Sequence, residues 1–488
     1  MLTKLRFALL VTVFGVATST ARAQPERFEL GQRLRSFENA WEKQPDAAAR
    51  KRAVEPLIQA TTAFFSFRLS EAGRALDQAR FALTSDQLPS PETLWANSLY
   101  VTLPQRVLDD RTGKTQRLLD VRADKLYLRL QPFYALDQAA PAQAEWRVRL
   151  LAEKGGGILA EIRQPVALLP DTKTLTWKNA PTGDHTLRLE ILIAGEVQFT
   201  AEQTLSLVQD SNKRLAVLKK LPHEDAYRHI EGQTFGELRK IVQNLADGKT
   251  LETNYPAARL LAEAEALHDA IRKGEQYYAW PKAGQSWLRI AAGATKETVR
   301  IFVPDKLAKD RPVPLVVALH GTGGSENMFF DGYGNGKIVR LCQERGWILV
   351  APRLSPFAAP LKTEELVGEL AKRWPIDTKR VFLVGHSMGA MQAVQIAQRI
   401  PKQVAGVAAL GGGQKIDAEP VVNVPFFIGV GSRDFLLRNV NALHDSLTAA
   451  EVKTVVFREY PDLEHLVIVQ QALPDVFAFF DGIVKGNK

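Results

Sequence analysis

The chain has 488 residues, of which 45% are hydrophobic and 24% are charged. That composition is typical of a globular protein and excludes a disordered tail, a collagen-like fibre and a disulfide-rich miniprotein. The length predicts about three domains. The formal net charge is +9, but no stretch is rich enough in lysine and arginine to form a nucleic-acid-binding patch, so we expect no nucleic-acid partner.

Residues 1–23 have the pattern of an export signal. A basic start precedes an apolar stretch from Phe7 to Ala17, and small residues two positions apart, ending at Ala23, fit the rule for signal cleavage. The apolar stretch is too short to cross ~30 Å of hydrocarbon as a helix, and no later stretch is long enough, so no membrane span is expected. We therefore expect an exported protein, periplasmic or secreted, whose mature chain begins near Gln24.

The chain contains one cysteine, Cys342, so it cannot form an internal disulfide. This residue lies in a helical pattern with an apolar face. We expect a buried structural thiol at this position rather than a nucleophile.

Residues 24–280 show a helical pattern at both ends and a strand pattern between them. A mainly helical region is expected over 24–120, and a helical connector over 211–280. Between them, residues 121–210 contain short alternating runs separated by turns, the pattern of a small antiparallel β-sandwich. Within it, TWKNAPTGDHTLRLEIL resembles the late strands of immunoglobulin-like modules. We expect this module to pack on the rest of the chain or to bind a polymer, a glycan or an envelope component.

From residue 281 to residue 488, strand-like and helical runs alternate. Several of the strands are almost continuously apolar, such as VPLVVALHG and VPFFIGVG, which indicates a mostly parallel sheet covered on both faces. The first two strand runs, QSWLRI and ETVRIFVP, are close together and are expected to pair antiparallel at one edge. The predicted fold class is therefore α/β, preceded by the helical region and the β-sandwich.

The segment Gly385-His386-Ser387-Met388-Gly389 fits the pattern G-x-S-x-G at a predicted strand-to-helix turn. A buried strand ends just before it, and an amphipathic helix follows. Small residues on either side let the backbone make a sharp turn that projects the serine hydroxyl above the sheet. Ser387 is therefore the candidate nucleophile.

From about residue 285 to residue 488 the chain resembles the α/β-hydrolase family, in the segments RIFVPDK, PLVVALHGTGGSEN, WILVAPR, VFLVGHSMGA and FFIGVGSRDFL. Within that family it is similar to secreted esterases related to polyhydroxybutyrate depolymerases and feruloyl esterases. The resemblance implies an α/β-hydrolase sheet and a serine nucleophile followed in chain order by an acid and then a histidine.

Two backbone N–H groups are candidates for an oxyanion hole. In this fold one belongs to the residue after the nucleophile, here Met388, and the other to the loop after the third strand. That loop begins at His320, and Thr322 is the first choice for the second donor, with Gly321 close behind. Such a pair stabilises the developing oxyanion, and the loss of one donor typically costs about 3 kcal/mol of transition-state stabilisation.

The acid and the base are expected at the ends of later strands. Asp434 follows the strand VPFFIGVG and is the candidate acid, with Asp417 as the runner-up. His465 lies in the loop after the last strand, whereas His444, the other histidine beyond Asp434, lies on a helical face. His465 is expected to accept the Ser387 proton while Asp434 orients its imidazole. The sequence has no HExxH motif and no Cys/His cluster with metal-ligand spacing, so no metal or other cofactor is expected.

Apolar rings fall on the loops at the edge of the sheet where the site is expected. The set expected to bind substrate consists of Phe329, Phe330, Tyr333, Phe357 and Phe435. As a group they indicate an apolar or aromatic acyl pocket. The connection between the sixth and seventh predicted strands is too short for a large helical lid, so the site is expected to be open or covered by the N-terminal region.

The leading interpretation is a serine esterase that cleaves carboxylic esters, polymeric or aromatic, through an acyl-enzyme. A serine peptidase of the prolyl-oligopeptidase type has the same residue order, but the N-terminal region lacks propeller-like repeats and is too short for a typical propeller. The third interpretation is a non-catalytic binding protein with a hydrolase shell. The presence of all three triad residue types at the predicted strand ends argues against it.

Overall fold

The computed structural model describes residues 24–105, 115–153, 156–221, 229–249, 252–292, 295–355, 361–416 and 421–486. The predicted export signal, residues 1–23, lies outside these ranges. The described residues contain no helix that is both long enough and apolar enough to cross a membrane.

Contacts within the chain separate it into two compact units. The first, called the β-rich unit, comprises Met1–Gly31, Ser90–Leu215 and Val242–Arg259. The second, called the α/β unit, comprises Gln32–Pro89, Ala216–Ile241 and Leu260–Lys488. Residues 32–89 therefore group with the C-terminal part of the chain, a connection that local sequence patterns cannot reveal.

A series of helices precedes the large sheet in the chain. They are α1 (Gln24–Lys43), α2 (Ala47–Phe65), α3 (Leu69–Thr84), α4 (Pro91–Asn97), α5 (Ser211–Lys220), α6 (Ile230–Ala246) and α7 (Ala257–Lys273). α2 begins where the Asp46 carboxylate accepts the N–H groups of Ala48 and Ala49, at 3.4 and 2.9 Å. α2 packs on α3 as a helical hairpin. A buried ion pair between Arg33 and Asp77 joins α1 to that hairpin.

The β-rich unit contains two sheets that share one core. The strands are β1 (Leu99–Thr102), β2 (Leu118–Asp120), β3 (Lys125–Pro132), β4 (Ala144–Leu151), β5 (Ile158–Pro165), β6 (Asp171–Thr176), β7 (Gly183–Ile193) and β8 (Glu196–Val208). The sheets have the orders β1-β3-β6 and β2-β8-β7-β4-β5, and only the β2–β8 pair is parallel among these described strands.

Side chains that point alternately inward and outward along the strands form the core of this unit. Trp146, Val148 and Leu150 of β4 point inward and share a buried cluster with Leu128 of β3, which belongs to the other sheet. The indole N–H of Trp146 donates to Asp171 of β6 at 3.1 Å, again from one sheet to the other. The predicted β-sandwich is confirmed, and its immunoglobulin-like character stays a prediction.

Strands β1 and β2 lie inside the range expected to be mainly helical, 24–120. The structure differs there because these strands are only four and three residues long. A strand of that length is too short to show an alternating pattern. Its pairing with distant strands, rather than its own sequence, determines its conformation.

The α/β unit is built on an eight-stranded sheet. Its strands are β9 (Gly284–Ala292), β10 (Thr295–Val303), β11 (Val313–Leu319), β12 (Ile348–Pro352), β13 (Ile376–His386), β14 (Val404–Leu410), β15 (Phe426–Gly431) and β16 (Val455–Tyr460). The order is β16-β15-β14-β13-β11-β12-β10-β9, with β11 to β16 parallel and β9–β10 an antiparallel pair at one edge. This is an α/β-hydrolase fold, as the strand runs and motifs predict.

Helices pack on this sheet and complete its core. They are α8 (Met328–Asp331), α9 (Tyr333–Arg345), α10 (Thr363–Ala371), α11 (Met388–Arg399), α12 (Leu437–Ala449) and α13 (Ile468–Gly486). Trp347 stacks on Phe382 and Phe477, with ring centroids 5.4 and 5.7 Å apart. Cys342 of α9 is fully buried, and burial raises the pKa of its thiol. The prediction of a buried structural thiol is confirmed.

Candidate active site

The carboxyl ends of the parallel strands carry the three candidate catalytic side chains. Ser387 directly follows β13, Asp434 lies shortly after β15, and His465 lies shortly after β16. Because parallel strands end at a common edge of the sheet, these residues reach the same region from distant positions in the chain.

The backbone at Ser387 makes a sharp turn between β13 and α11. Ser387 has φ 56° and ψ −117°, a conformation that costs a non-glycine residue about 1–3 kcal/mol. A Cβ atom on Gly389 would lie 1.9 Å from the carbonyl oxygen of Leu319, and one on Gly385 would lie 2.2 Å from that of Gly389. Both glycines are therefore required for this turn to pack against the end of β11.

Two adjacent glycines after β14 border all three candidate catalytic residues. A Cβ atom on Gly411 would lie 2.9 Å from Oδ2 of Asp434 and 3.4 Å from Nδ1 of His465. A Cβ atom on Gly412 would lie 2.8 Å from Cα of Ser387. The serine thus borders one glycine, and the histidine and aspartate border the next.

His465 and Asp434 form a buried pair. Nδ1 of His465 lies 3.0 Å from both carboxylate oxygens of Asp434, which also accepts the N–H of Leu436 at 2.8 Å. Because a carboxylate only accepts hydrogen bonds, we assign the imidazole proton to Nδ1 and leave Nε2 as the basic nitrogen. Within the part of the chain that the structure describes, Nε2 has no hydrogen-bond partner, so it is available to accept a proton.

Residues 320–327, called the Gly321 loop, follow β11 and lie beside the serine. A Cβ atom on Gly321 would lie 3.1 Å from the Cβ atom of Ser387. Its position beside the nucleophile makes this loop the expected source of the second oxyanion donor.

The three predicted oxyanion donors stay predictions. Met388 is the first residue of α11, where a backbone N–H has no carbonyl partner within the helix. Thr322 is half-buried in the Gly321 loop, and the alternative donor, Gly321, is buried in the same loop.

His320, the first residue of the Gly321 loop, bonds to the backbone through both ring nitrogens. Its Nδ1 lies 2.8 Å from the carbonyl oxygen of Gly321, and its Nε2 accepts the N–H of Leu354 at 2.9 Å. These partners assign a neutral imidazole with its proton on Nδ1. Both ring nitrogens are thus used to hold backbone groups.

A chain of hydrogen bonds connects Tyr333 to the backbone of His465. Nε2 of His386 donates to the carbonyl oxygen of His465, at 2.9 Å, because a carbonyl oxygen only accepts. In a neutral imidazole Nδ1 is then the acceptor, so it accepts the proton of the Tyr333 hydroxyl, at 2.6 Å. Burial holds the pKa of His386 well below its ordinary value of 6.5, so the ring stays neutral and serves as a connector.

The start of α9 contains a left-handed turn, which we define as Tyr333 to Gly336. All four residues have positive φ, between 47° and 77°. Left-handed backbone costs an ordinary residue about 1–2 kcal/mol, so Tyr333 and Asn335 are strained. Oε1 of Glu38, from α1, accepts the N–H of Tyr333 at 3.0 Å. Burial raises the pKa of Glu38 to about 7.

A second buried glutamate holds residues 461–467, called the His465 loop. Oε1 of Glu464 accepts the N–H groups of Leu466 and Val467, at 2.6 and 3.0 Å. Its other oxygen lies 3.2 Å from the hydroxyl of Thr61 in α2. Burial raises the pKa of Glu464 to about 7. The loop that carries His465 is therefore held both by its own backbone and by an N-terminal helix.

Three of the aromatic residues expected to bind substrate are buried. Phe329 has no exposed surface, and Phe330 and Tyr333 have 5% and 2%. Phe329 packs edge-to-face on Tyr333 with 4.8 Å between centroids, and the Arg300 guanidinium lies 4.6 Å from the centroid of Phe330. These three rings therefore belong to the packing next to the site, and their role in binding substrate stays a prediction.

The remaining predicted residues divide differently. Phe435 is 59% exposed, and its ring centroid lies 4.4 Å from that of His465. Phe357 and the alternative acid Asp417 lie outside the described residues. His444 lies on α12 against the ring of Phe457, 4.6 Å between centroids, as its helical pattern predicts.

Local sequence patterns do not indicate the N-terminal residues that contact this site. Glu38 accepts the N–H of Tyr333 in the left-handed turn, and Thr61 bonds to Glu464 in the His465 loop. Cζ of Phe64 would lie 2.9 Å from a Cβ atom on Gly323 in the Gly321 loop. The amphipathic pattern of α1 and α2 predicts helices but does not indicate the surface on which they pack. Of the two expectations for the site, open or covered by the N-terminal region, these contacts favour the second.

Residues 357–473 match the dienelactone hydrolase family, a range that contains Ser387, Asp434 and His465. A bifunctional acetylxylan esterase/xylanase of Neocallimastix patriciarum is 26% identical over 149 residues, 28% of this chain. The chain matches only 22% of the length of that curated relative.

Solved structures of two esterases are also similar to this chain. The feruloyl esterase module from Clostridium thermocellum is 14% identical and has a TM-score of 0.36, with 41% of this chain and 89% of that chain covered. A thermostable esterase is 14% identical and has a TM-score of 0.38, with 74% and 95% covered. Together with the topology of the sheet, the family match confirms the resemblance to α/β-hydrolases: over residues 357–473 the chain has the sequence pattern of the dienelactone hydrolase family.

Proposed function

We propose that the α/β unit is a serine hydrolase of carboxylic esters, with Ser387 as nucleophile, His465 as base and Asp434 as its partner. The proposal rests on one observation: a strained serine and a buried histidine–aspartate pair border the adjacent glycines Gly412 and Gly411. The similarity to the dienelactone hydrolase family and to an acetylxylan esterase/xylanase supports esters as the substrates.

Acylation is the first half of the reaction. Nε2 of His465 takes the proton of the Ser387 hydroxyl as the oxygen attacks the ester carbonyl carbon, and Asp434 stabilises the resulting imidazolium. The N–H groups of Met388 and Thr322 bind the oxyanion of the tetrahedral intermediate. The bond between the carbonyl carbon and the leaving oxygen then breaks, and His465 gives its proton to that oxygen. The acyl group stays on the serine.

Deacylation repeats these steps with water. His465 takes a proton from water as the water oxygen attacks the acyl carbon, and the same proton passes to the oxygen of Ser387 when the carboxylic acid leaves. His386 takes no part in this transfer, because both of its nitrogens are engaged and burial holds its pKa low. It positions His465 through the carbonyl group.

Labelling with a fluorophosphonate tests the nucleophile directly. We expect peptide mass spectrometry to find the label on Ser387, and Ser387→Ala to abolish labelling and lower ester hydrolysis at least about 10³-fold. Ser446→Ala, which changes a half-buried serine of α12, is the matched control and is expected to keep both properties.

Two further assays on the purified protein test the two other interpretations. A peptidase of the prolyl-oligopeptidase type would cleave peptide anilides with a kcat/KM comparable to that for p-nitrophenyl esters. A non-catalytic binding protein would remain unlabelled and would keep its ligand affinity after Ser387→Ala. Either result contradicts the esterase proposal.

Two further expectations belong to this proposal. Export of a mature chain that begins near Gln24 is supported by the pattern of residues 1–23. Binding of a polymer, a glycan or an envelope component by the β-rich unit stays a prediction.

A further inference from the structure

Three aromatic side chains form a continuous series beside the candidate site. The ring centroids of Phe64 and Phe65 are 5.4 Å apart, and those of Phe65 and Phe435 are 5.9 Å apart, both edge-to-face. Phe435 in turn contacts the imidazole of His465, with 4.4 Å between centroids. Phe64 and Phe65 are the last two residues of α2, so two of the three rings come from the N-terminal helices.

The other end of this series touches the Gly321 loop. A Cβ atom on Gly323 would lie 2.9 Å from Cζ of Phe64, so the edge of that ring rests on the glycine. Gly323 directly follows Thr322, a proposed oxyanion donor. The rings therefore extend from the loop that holds this donor to the histidine that moves the proton.

The exposure of these rings distinguishes them from core residues. Phe435 is 59% exposed, and Phe64 and Phe65 are half-buried, whereas Phe329 is fully buried. Small-molecule sites are lined mostly by hydrophobic and aromatic side chains with a few polar groups, and these rings beside His465 and Asp434 have that composition. A ligand that covers these rings would remove their apolar surface from water.

The chemistry of His465 indicates which part of an ester meets the rings. The leaving oxygen must come within hydrogen-bond distance of Nε2 of His465 to be protonated. The carbon group attached to that oxygen then lies beside the imidazole and its neighbour Phe435. The acyl group, by contrast, is attached to the oxygen of Ser387.

We infer that Phe64, Phe65 and Phe435 form an aromatic wall that binds the apolar, ring-sized alcohol part of the ester. This inference rests on the proposed function. It assigns alcohol specificity to α2, which lies far outside the residues that match the dienelactone hydrolase family. Phe64 and Phe65 are thus specificity-determining residues.

Two isomeric esters test the wall. Benzyl acetate carries its ring on the alcohol, methyl phenylacetate carries the same ring on the acyl group, and ethyl acetate has none. We expect Phe65→Ala to lower kcat/KM for benzyl acetate about five- to tenfold, mainly through KM, and to change the other two esters less than twofold. Phe65→Leu is expected to recover most of the loss because it restores apolar area.

The control is Phe81→Ala, which removes a half-buried ring of α3 that contacts the Arg80 guanidinium. It is expected to leave all three esters unchanged. An equal loss for both isomers, a loss confined to methyl phenylacetate, an equal loss that includes ethyl acetate, or no loss would each overturn the wall. If the wall is overturned but the wild-type protein hydrolyses ethyl acetate, the proposed function still holds. If the wild-type protein hydrolyses none of the three esters, both proposals are contradicted.

Discussion

Two segments next to the candidate site, the left-handed turn and the His465 loop, are each held by a buried glutamate with a pKa raised to about 7. Glu464 belongs to the loop it supports and accepts N–H groups from the next residues, Leu466 and Val467. Glu38 lies 295 positions from Tyr333, whose N–H it accepts. The His465 loop is therefore largely supported by its own sequence, whereas the strained turn depends on a distant helix.

The largest expected effect comes from breaking the left-handed turn. Gly336 has φ 66°, and a Cβ atom there would lie 2.3 Å from the carbonyl oxygen of Phe330. We expect Gly336→Ala to lower the free energy of unfolding by roughly 3 kcal/mol or more and to reduce ester hydrolysis. Thermal unfolding and turnover of ethyl acetate would measure these losses.

Gly482→Ala in α13 is the matched control, because a Cβ atom there would meet no described atom within 4 Å beyond its chain neighbours and its own helix backbone. It is expected to leave stability unchanged or to raise it by up to about 1 kcal/mol. A Gly336→Ala protein with wild-type stability would show that the left-handed turn can change its conformation at no cost in free energy. The proposed difference between this turn and the His465 loop would then be wrong.

The two glutamates predict a stability that falls as pH rises. A carboxyl group whose pKa is raised from 4.5 to about 7 by folding favours the folded state fully below pH 4.5, and this contribution is lost as pH rises through about 7. The loss is on the order of 3 kcal/mol for each buried group. We expect Glu38→Gln and Glu464→Gln each to raise the melting temperature more at pH 8 than at pH 5.

Melting curves of wild type, the two variants and the double variant at these two pH values check this prediction. The increases in melting temperature from the two substitutions are expected to add, because Glu38 contacts the left-handed turn and Glu464 contacts the His465 loop. Curves that shift equally at pH 5 and pH 8 would mean that neither carboxyl group changes its protonation on folding.

The smallest effect tests the contact from α2 to the His465 loop. Thr61→Val removes the hydroxyl that lies 3.2 Å from Glu464 and 3.0 Å from the carbonyl oxygen of Leu57. We expect a loss of about 1 kcal/mol of stability, with the His465 loop still held by its own N–H groups. Thr62→Val is the control, because Thr62 is an exposed neighbour whose hydroxyl donates to the carbonyl oxygen of Ile58 in the same helix. A loss of ester hydrolysis comparable to that of Gly336→Ala would contradict the local support of the His465 loop.

The ends of apolar strands predict residues that lie close together. Asp434 and His465 each follow such a strand, and the structure places the carboxylate 3.0 Å from Nδ1. The turn at Ser387 was recognisable because glycines at both sides are a local requirement. The parallel sheet and its antiparallel edge pair were predictable for the same reason, since their patterns are local in the sequence.

Features that depend on packing between distant segments could not be predicted in this way. Phe329 and Phe435 are both apolar residues in loops at one edge, yet one is fully buried and the other is 59% exposed. Glu38 is one of many charged residues in α1, and no pattern distinguishes it from those that face solvent. The burial of such a residue depends on the segment that packs against it, and for Glu38 that segment contains Tyr333, which is 295 positions away.

The pairing of Thr61 with Glu464 has a consequence for biosynthesis, because 403 positions separate the two residues. A ribosome adds about 5–20 residues per second, so α1 to α3 leave it on the order of 20–80 s before the loop they contact is made. During that interval Glu38 also lacks Tyr333 and Gln470, which contact it in the folded protein. Translation must therefore pass residue 470 before α1 to α3 can complete their contacts, and a truncated nascent chain would present these helices to chaperones and proteases without their C-terminal partners.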